Sequence, residues 1–494
     1  MLKQNSNSNF NQVLWLGISQ VSTFLVSFLS GVILSRYLPK GDYGTYRQVL
    51  FIYNTMFMVF SAGLASAYSF FVPRYTEEEA KTIVNKVTHI LIFFGLSVSG
   101  LLYILSGQIA ALMNNPDLEL SLKIFSLTPL FTLPSLGVES LYTALRKTKV
   151  VAIYQVSCKL LILLCSALPV VVLHKSYLDA IAGWTLASFV NFVLAFFLKW
   201  FPYRKVSGKK VYGVYAKLSN YALPLVGACL AGLILNSAAQ FFISRYWGKT
   251  NYADYANGFI GLPFVVMVAG PLKAVLQPIF SKAAHDGNLK PALSVYENGV
   301  IQCITILFPI ILFSWFFATD IMVLIYGQQY ATSAPFFRIS LIKDIFNCLP
   351  YFAIILAFGN TKPYFYAHAT AALSVWIIDF LLCSSHCRGE WYAIVYVLAE
   401  IAIVLIMVNY IQKRYHLSTL SKELLLRSLV VMSHSMIISV GCYYTLNNLL
   451  PHSIGSFIRV SVGFLIYILI LTLSGKYILK IDYWGSVANR LIKK

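Results

Sequence analysis

The stretch SRYLPKGDYGTY, Ser35 to Tyr46, is written a second time as SRYWGKTNYADY, Ser244 to Tyr255. The two copies lie 209 positions apart and agree at six of their twelve positions. Each copy follows a long apolar run, so the repeat marks equivalent points in two halves of one chain. The number and direction of the apolar runs around these copies therefore decide the fold.

The composition indicates an integral membrane protein. Of the 494 residues, 58% are hydrophobic and only 11% are charged, and the mean hydropathy is +0.72. A soluble domain carries about 25% charged residues. The net charge of +20 is dispersed along the chain, which argues against a nucleic-acid partner because such proteins collect their basic residues in one patch.

Neither a disulfide framework nor a metal site is expected. The eight cysteines lie in apolar segments or at their edges, so we interpret them as small buried packing residues. The cluster CSSHC, Cys383 to Cys387, ends an apolar run and lacks a second ligand pair, so we interpret it as a helix end. The sequence also lacks the GxxxxGK[ST] motif and any long hydrophilic loop, so neither an ATP-driven pump nor an enzyme is predicted.

About fourteen transmembrane helices are predicted. A bilayer core is crossed by about 20 apolar helical residues, and an open sheet cannot cross it. Fourteen apolar stretches satisfy this length, near residues 13–36, 46–72, 88–113, 119–145, 150–173, 178–200, 218–244, 255–281, 294–317, 332–358, 363–386, 390–411, 426–448 and 455–479.

The distribution of Lys and Arg predicts the orientation. With the N-terminus inside, the cytoplasmic side holds 25 of these residues, Lys199 among them, and the outer side holds 8. Cytoplasmic loops carry the excess of Lys and Arg, so both termini are predicted to be cytoplasmic.

The first copy of the repeat joins spans 1 and 2, and the second copy joins spans 7 and 8. Because six spans, an even number, separate the two copies, both halves of the chain enter the membrane in the same direction. Two parallel six-helix lobes related by a pseudo-two-fold axis along the membrane normal are therefore predicted. ALRKTK (144–149) and AFGNTK (357–362) follow the corresponding spans 4 and 10. The predicted domains are an N-lobe (1–200), a basic cytoplasmic linker (201–217), a C-lobe (218–425), and spans 13 and 14 with a cytoplasmic tail (426–494).

Charged residues inside predicted spans are candidate functional residues, because such charges are costly and usually face a cavity or a bundle interior. Lys273 and Lys343 lie about 12 to 17 Å from the nearer helix end at 1.5 Å rise per residue, too deep to snorkel. Lys273 stands between Pro271 and Pro278, which favours a kinked, cavity-lining helix. The candidate cavity cations within the spans are Lys159, Lys273, Arg338 and Lys343.

Structural roles remain open for these groups. Lys273 could pair with Glu400 or Asp344, and Lys343 with a neighbouring acid. Glu400, Asp379 and Asp344 are candidates for coupling to H+ or Na+, although a buried acid also serves as a simple counter-ion.

Several motifs together resemble the polysaccharide flippase family of the multidrug/oligosaccharidyl-lipid/polysaccharide exporter superfamily. The pattern L-x-R-x-L-x-x-x-x-Y/F-G-x-Y after span 1 is matched from Leu34 to Tyr46, ALRKTK follows span 4, and GPLKAVLQPIFSKA lies in span 8. The resemblance implies translocation of undecaprenyl-pyrophosphate-linked oligosaccharide repeat units from the inner to the outer leaflet by alternating access, for O-antigen, capsule or exopolysaccharide synthesis. It also places cavity cations at Arg36, Arg146 and Lys273.

The resemblance further implies a bacterial inner membrane, with membrane lipids, a polysaccharide polymerase and glycosyltransferases as partners. Span 1 holds no charged residue between Val13 and Ser35. This departs from the acidic cation site of the multidrug branch and from the first-span arginine of peptidoglycan-precursor flippases. An ion-coupled multidrug or organic-cation exporter of the same superfamily is the alternative.

Overall fold

The computed structural model describes residues 6–61, 64–213, 218, 230–359, 362–385, 387–449, 455–481 and 483. Across these ranges the regular elements are helices, and no strand occurs. The chain divides into two compact units, Met1–Ala253 and Asp254–Lys494. The all-α class expected from the apolar runs is confirmed, while the lobe and linker boundaries stay a prediction.

The first unit carries the helices up to the second copy of the repeat. Short 3-10 turns lie at Val72–Arg74 and Phe201–Tyr203, and a π-helical turn lies at Ile243–Trp247. The α-helices are α1 (Ser6–Tyr37), α2 (Lys40–Ser61), α3 (Leu64–Phe71), α4 (Glu77–Ile104), α5 (Ser106–Leu112), α6 (Asp117–Phe125), α7 (Thr128–Ser135), α8 (Val138–Ala144), α9 (Thr148–Val172), α10 (Tyr177–Trp200), α11 (residues 230–242) and α12 (Gly248–Gly258). The boundary between the two units falls within α12.

The second unit continues with longer helices. A 3-10 segment, Gln328–Ser333, precedes α16, and a π-helical turn, Gly475–Leu479, follows α21. The helices are α13 (Pro263–His285), α14 (Lys290–Phe316), α15 (Ala318–Tyr326), α16 (Ala334–Phe346), α17 (Tyr351–Ala357), α18 (Lys362–Ser384), α19 (Glu390–Tyr415), α20 (Lys422–Leu449) and α21 (Ser456–Ser474).

Capping boxes set the starts of two long helices in the first unit. At α4 the Thr76 hydroxyl accepts from the Glu79 N–H and the Glu79 carboxylate accepts from the Thr76 N–H. Ser176 and Asp179 form the same motif at α10. Each box satisfies backbone donors that a helix start leaves without an intrahelical partner.

Within the described ranges ten helices are long and apolar enough to cross a membrane, and the number is twelve when each of two further bent helix pairs is taken as one span. The bends are 43° between α6 and α7 and 42° between α16 and α17. These twelve coincide with twelve of the fourteen predicted spans. The other two predicted spans, 46–72 and 218–244, contain residues outside the described ranges.

A helix break in the first unit depends on a glycine. Gly137 separates α7 from α8 and has a φ of 88°. A Cβ atom at this position would lie 2.1 Å from the ring of Tyr68, a side chain that is fully buried in the apolar core of the unit. Only glycine accepts both the left-handed backbone and this close approach.

Candidate functional site

A cavity of about 580 Å³ with a partly polar lining lies inside the first unit. Helices α1, α2, α3, α7, α8, α9 and α10 form its wall. Its lining combines charged, amide and aromatic side chains, a mixture typical of ligand pockets. The charged and amide groups are Arg47, Asn54, Glu139, Gln155, Lys159 and Asn191, and the aromatic groups are Tyr46, Tyr53, Phe57, Tyr154 and Trp184.

Two cations and one acid line this cavity. Lys159 projects from α9 and is one of the residues predicted from its charge within a span. Arg47 was not predicted, because it was counted with the outer loop. Helix α2 begins at Lys40, so Arg47 lies two turns inside a helix, and the acidic first turn at Asp42 is the signal that could have found this earlier start.

Glu139 in the first turn of α8 is the third charged group of the lining. It is not among the candidates identified from the sequence. Its carboxylate interacts electrostatically with Tyr154 and Cys158, the latter next to Lys159. The described lining of the cavity thus holds two positive groups and one negative group.

The uncharged lining is ordered by hydrogen bonds. The Tyr53 hydroxyl donates to Thr132 Oγ1 at 2.8 Å, and Asn191 Nδ2 donates to the Cys158 carbonyl at 3.4 Å. Gln155 Oε1 is buried and has no hydrogen-bond partner among the described residues. An amide acceptor without a partner beside aromatic rings is suited to a hydroxyl-bearing ligand, because hydroxyls donate to amides and sugar ring faces pack on aromatics.

Two predicted cavity cations lie elsewhere in the first unit. Arg36 is exposed in the last turn of α1, and Arg146 is exposed in the connection from α8 to α9, where its φ is 59°. Neither lines the cavity. Their role in binding stays a prediction.

Lys343 of the second unit lies among aromatic rings. Its Nζ is 5.1 Å from the ring centroid of Phe259 and 5.7 Å from that of Tyr396. Glu400 acts electrostatically on the hydroxyl of the same Tyr396. These contacts place a cation and an acid around one tyrosine, an arrangement that serves either ligand binding or packing.

Arg338 and Asp344 bond to the backbone of neighbouring helices. Arg338 donates to the Trp315 carbonyl at 3.1 Å, and Asp344 accepts from the Leu262 N–H at 2.8 Å, where α13 begins. Both bonds satisfy groups at helix ends that would otherwise lack a partner. They are contacts that a structural role would provide, and the binding role of Arg338 and the coupling role of Asp344 stay predictions.

Lys273 and Asp379 differ sharply in exposure. Lys273 is exposed on α13, between Pro271 and Pro278. Asp379 on α18 is 0% exposed, and neither carboxylate oxygen has a hydrogen-bond partner among the described residues. Within the same ranges no group of His, Cys, Asp and Glu could hold a metal ion. His386 of the CSSHC cluster lies outside them.

The two copies of the repeated phrase meet within the first unit. Gln48 Nε2 donates to Ser244 Oγ at 2.7 Å, and Asn115 Nδ2 donates to Gln48 Oε1 at 2.6 Å. A Cβ atom on Gly44 would lie 1.9 Å from the Lys249 carbonyl oxygen, so the backbones touch. We call Thr45, Gln48, Asn115 and Ser244 the repeat network, since Asn115 also donates to Thr45 Oγ1 at 3.0 Å.

An ion pair lies beside the repeat network. Lys249 Nζ bonds to Asp117 Oδ2, and this contact holds the pKa of the Lys249 ammonium above its ordinary value because it favours the charged form. The pair is partly exposed, at 34% and 50% of the side chains. The four residues of the network are 3% exposed or less.

The chain is similar to known proteins of polysaccharide biosynthesis. Residues 10–284 match the family described as polysaccharide biosynthesis protein. The chain is 25% identical, over 341 residues, to the succinoglycan biosynthesis transport protein ExoT of Rhizobium meliloti (strain 1021); the match covers 67% of this chain and 65% of that protein. The chain thus spans slightly less than two thirds of this relative.

Solved structures of the same fold include the lipid II flippase MurJ in an inward closed conformation, with a TM-score of 0.72, 14% identity, and coverage of 94% of this chain and 100% of that one. An inward-facing multidrug resistance MATE family transporter of the MOP superfamily has a TM-score of 0.64, 13% identity, and coverage of 82% and 99%. At such identities the likeness shows the fold alone. The matched relative is a transport protein and these neighbours are transporters and flippases, not enzymes, and together with the family match this confirms the class expected from the sequence. The chain belongs to the family of polysaccharide biosynthesis proteins, on the multi-pass membrane fold of these transporters.

Proposed function

We propose that the protein is a flippase that moves undecaprenyl-pyrophosphate-linked oligosaccharide repeat units from the inner to the outer leaflet of a bacterial inner membrane. The exported units would serve O-antigen, capsule or exopolysaccharide synthesis. The family match and the likeness to a succinoglycan transport protein support a polysaccharide pathway. The likeness to a lipid II flippase supports a fold able to carry a lipid-linked sugar.

The cavity of the first unit is the observation that carries this proposal. Its side chains divide into cations, amides and aromatic rings, with about 580 Å³ between them. Arg47 and Lys159 suit an oxyanion, while Gln155, Tyr53 and Trp184 suit sugar hydroxyls and ring faces. A volume of this order is large enough for a small oligosaccharide portion but not for a polyprenyl chain.

The mechanism we propose is alternating access with both termini in the cytoplasm. The polar head of the substrate would occupy the cavity while its lipid tail stays in the bilayer. Large apolar side chains cover the outside of the first unit, among them Phe196 and Phe197 at 55% and 58% exposure, as expected for a lipid-facing surface. Membrane lipids, a polysaccharide polymerase and glycosyltransferases are the proposed partners.

Coupling to H+ or Na+ is proposed to involve Asp379. Burying an ionised carboxylate without a partner costs several kcal/mol, so such a group takes up a proton or a cation. Asp379 has that environment among the described residues, whereas Asp344 is bonded to a backbone N–H and Glu400 acts on tyrosine hydroxyls. Release of the bound proton would accompany a change of exposure during transport.

Export of drugs or organic cations is the second candidate, and Glu139 is the observation that favours it. A carboxylate in the cavity could bind a cationic ligand. The two cations of the same lining, Arg47 and Lys159, oppose this because they would repel such a ligand. The balance of charge in the cavity therefore favours an anionic substrate.

Deletion of the gene tests the two candidates against each other. We expect a complete undecaprenyl-pyrophosphate oligosaccharide to accumulate on the cytoplasmic leaflet, measured in extracted lipids and restored to normal by the wild-type gene. Unchanged lipid pools together with increased sensitivity to cationic drugs would reject the flippase and support the exporter.

A further inference from the structure

A second, smaller pocket lies in the first unit at the end that carries the basic linker. Its volume is about 120 Å³, on the scale of a phosphate group. One side is the first half of α4, where Lys81, Asn85 and Thr88 share a face at helical spacing. The other side is the end of α10 and the turn after it, with Phe196, Lys199 and Tyr203.

Lys199 is a buried cation at the floor of this pocket. It is 5% exposed, and its Nζ donates to the Pro134 carbonyl at 2.7 Å and to the Tyr68 hydroxyl at 3.0 Å. No carboxylate among the described residues forms an ion pair with it within 4.0 Å. An ammonium has three N–H donors, and the neutral groups of Pro134 and Tyr68 account for two of them.

Tyr203 supplies a second unsatisfied group in the pocket. Its side chain is 5% exposed, and its hydroxyl has no hydrogen-bond partner among the described residues. Buried polar groups are normally hydrogen-bonded. A lysine and a tyrosine, each more than nine-tenths buried, therefore contribute donors to one small space.

A second cation and an apolar rim complete the pocket. Lys81 is half-buried and donates to the Val206 carbonyl at 2.6 Å, which leaves its charge beside the opening. Phe196 and Trp200 are 55% and 52% exposed at the rim. The described residues that line the pocket include no acid. The nearest acids in sequence are Glu77, Glu78 and Glu79 in the first turn of α4, of which Glu77 acts electrostatically on Tyr203.

We propose that this pocket binds the phosphate group of a phosphate ester, with an anionic phospholipid headgroup at the membrane interface as its source. A phosphate would compensate Lys199 and Lys81 and accept from the Tyr203 hydroxyl, and charge-assisted bonds of this kind are the strong ones. The exposed rings of Phe196 and Trp200 would contact the acyl chains, as aromatic residues do at interfaces. The linker cations Arg204, Lys205, Lys209 and Lys210 add attraction for an anionic leaflet.

To test the proposal, the purified full-length protein in detergent is titrated with dioctanoyl phosphatidylglycerol, and its melting temperature is measured at each lipid concentration. Dioctanoylglycerol, which has the same chains without phosphate, is the matched lipid. Inorganic phosphate is titrated separately to distinguish a free anion from a headgroup. The variants are Lys81→Gln, Lys199→Gln and Tyr203→Phe, with Lys86→Gln as control, because Lys86 lies on the same helix and bonds the same linker at Val211 but does not line the pocket.

We expect phosphatidylglycerol to raise the melting temperature saturably and dioctanoylglycerol to leave it unchanged. The apparent Kd should rise at least about tenfold in Lys81→Gln and Lys199→Gln, because the loss of a hydrogen bond between two charged groups changes affinity by about that factor. It should rise less in Tyr203→Phe, which removes a hydrogen bond from a neutral hydroxyl. Lys86→Gln should match the wild type. If Lys199→Gln does not fold, the other two variants carry the comparison.

A rise with inorganic phosphate that the same variants weaken would identify a free anion as the source and keep the phosphate site. Equal shifts in the wild type and all three pocket variants would overturn the proposal. So would equal shifts with the two lipids, or no shift with either lipid or with inorganic phosphate.

Discussion

Lys199 Nζ donates a hydrogen bond of 2.7 Å to the carbonyl oxygen of Pro134, across 65 positions of the chain. Pro134 lies in the last turn of α7, and the helix breaks before α8 begins at Val138. Because of the break, carbonyl groups at the end of α7 lack the N–H partner that a continuous helix would supply four residues further along the chain. Lys199 thus satisfies an acceptor that a helix interruption would otherwise leave unpaired in an apolar environment.

Replacing Lys199 by Met should destabilise the protein by about 1 to 3 kcal/mol, because the buried Pro134 carbonyl loses its donor. The melting temperature of the purified variant measures this. Lys86→Met is the control, since Lys86 also bonds a carbonyl, that of Val211 at 3.1 Å, but from a half-buried position near the linker. Equal melting temperatures for the two variants would contradict the role assigned to Lys199.

Gly137→Ala should destabilise by about 1 to 3 kcal/mol through its backbone alone, because φ is 88° there. The contact with the buried Tyr68 ring adds to this cost, since the new Cβ would lie 2.1 Å from it. Gly100→Ala is the matched control within α4, where a Cβ meets nothing within 4 Å, and it should stabilise by up to about 1 kcal/mol. Thermal unfolding in detergent measures both, and a harmless Gly137→Ala would reject the argument.

The repeat network and the ion pair beside it should differ in energy. Gln48→Leu removes two buried hydrogen bonds, from Asn115 Nδ2 and to Ser244 Oγ, and leaves Asn115 with Thr45 as its remaining partner in the network, so it should cost about 2 to 4 kcal/mol. Lys249→Gln removes a partly exposed ion pair and should cost less than about 1 kcal/mol. Unfolding of the two single variants decides the order, and a larger loss in Lys249→Gln would show that the pair dominates.

The cavity of the first unit should require its cations for export. Lys159→Gln and Arg47→Gln should each reduce surface polysaccharide at least about tenfold at equal protein abundance, because each removes a charge-assisted contact to an anionic substrate. Lys175→Gln, an exposed cation between α9 and α10, should leave export unchanged. Normal export by a Lys159→Gln/Arg47→Gln double variant would exclude this cavity as the site of the anionic group.

The spans were predictable from sequence because a membrane helix is an apolar run of fixed minimum length, which hydropathy measures directly. The breaks inside them were not. The 43° bend between α6 and α7 and the interruption at Gly137 lie within one apolar run, 119–145. Averaged hydropathy does not register a break when Pro or Gly interrupts the backbone and a neighbouring helix repairs its hydrogen bonds.

The charged residues were harder to place, because a sequence gives depth along a helix and not the direction of a side chain. Lys159 was identified by its position in a span and lines the cavity. Lys199 was counted as a cytoplasmic loop residue, yet it is 5% exposed in the last turn of α10. Arg338 was expected to face a substrate, and it bonds the Trp315 carbonyl. Which carbonyls need a donor depends on helix breaks that only the structure reveals.

Two buried carboxylates of the second unit provide the last prediction. Asp379 is 0% exposed with no hydrogen-bond partner among the described residues, while Asp254 is 4% exposed and accepts from Thr332 and Ser333, both at 2.9 Å. Asp254→Asn weakens two charge-assisted bonds and should lower stability by about 1 kcal/mol or more. Asp379→Asn removes no such bond, so the melting temperature should stay equal or rise.

Export then reports the function of Asp379, because an amide cannot take up and release a proton. We expect Asp379→Asn to reduce surface polysaccharide at least about tenfold at wild-type abundance and stability. Asp379→Glu, which keeps a carboxyl group, should retain part of the export. Full export by Asp379→Asn would exclude a coupling role, and a fall in melting temperature as large as that of Asp254→Asn would show that the Asp379 carboxylate is held by its surroundings after all.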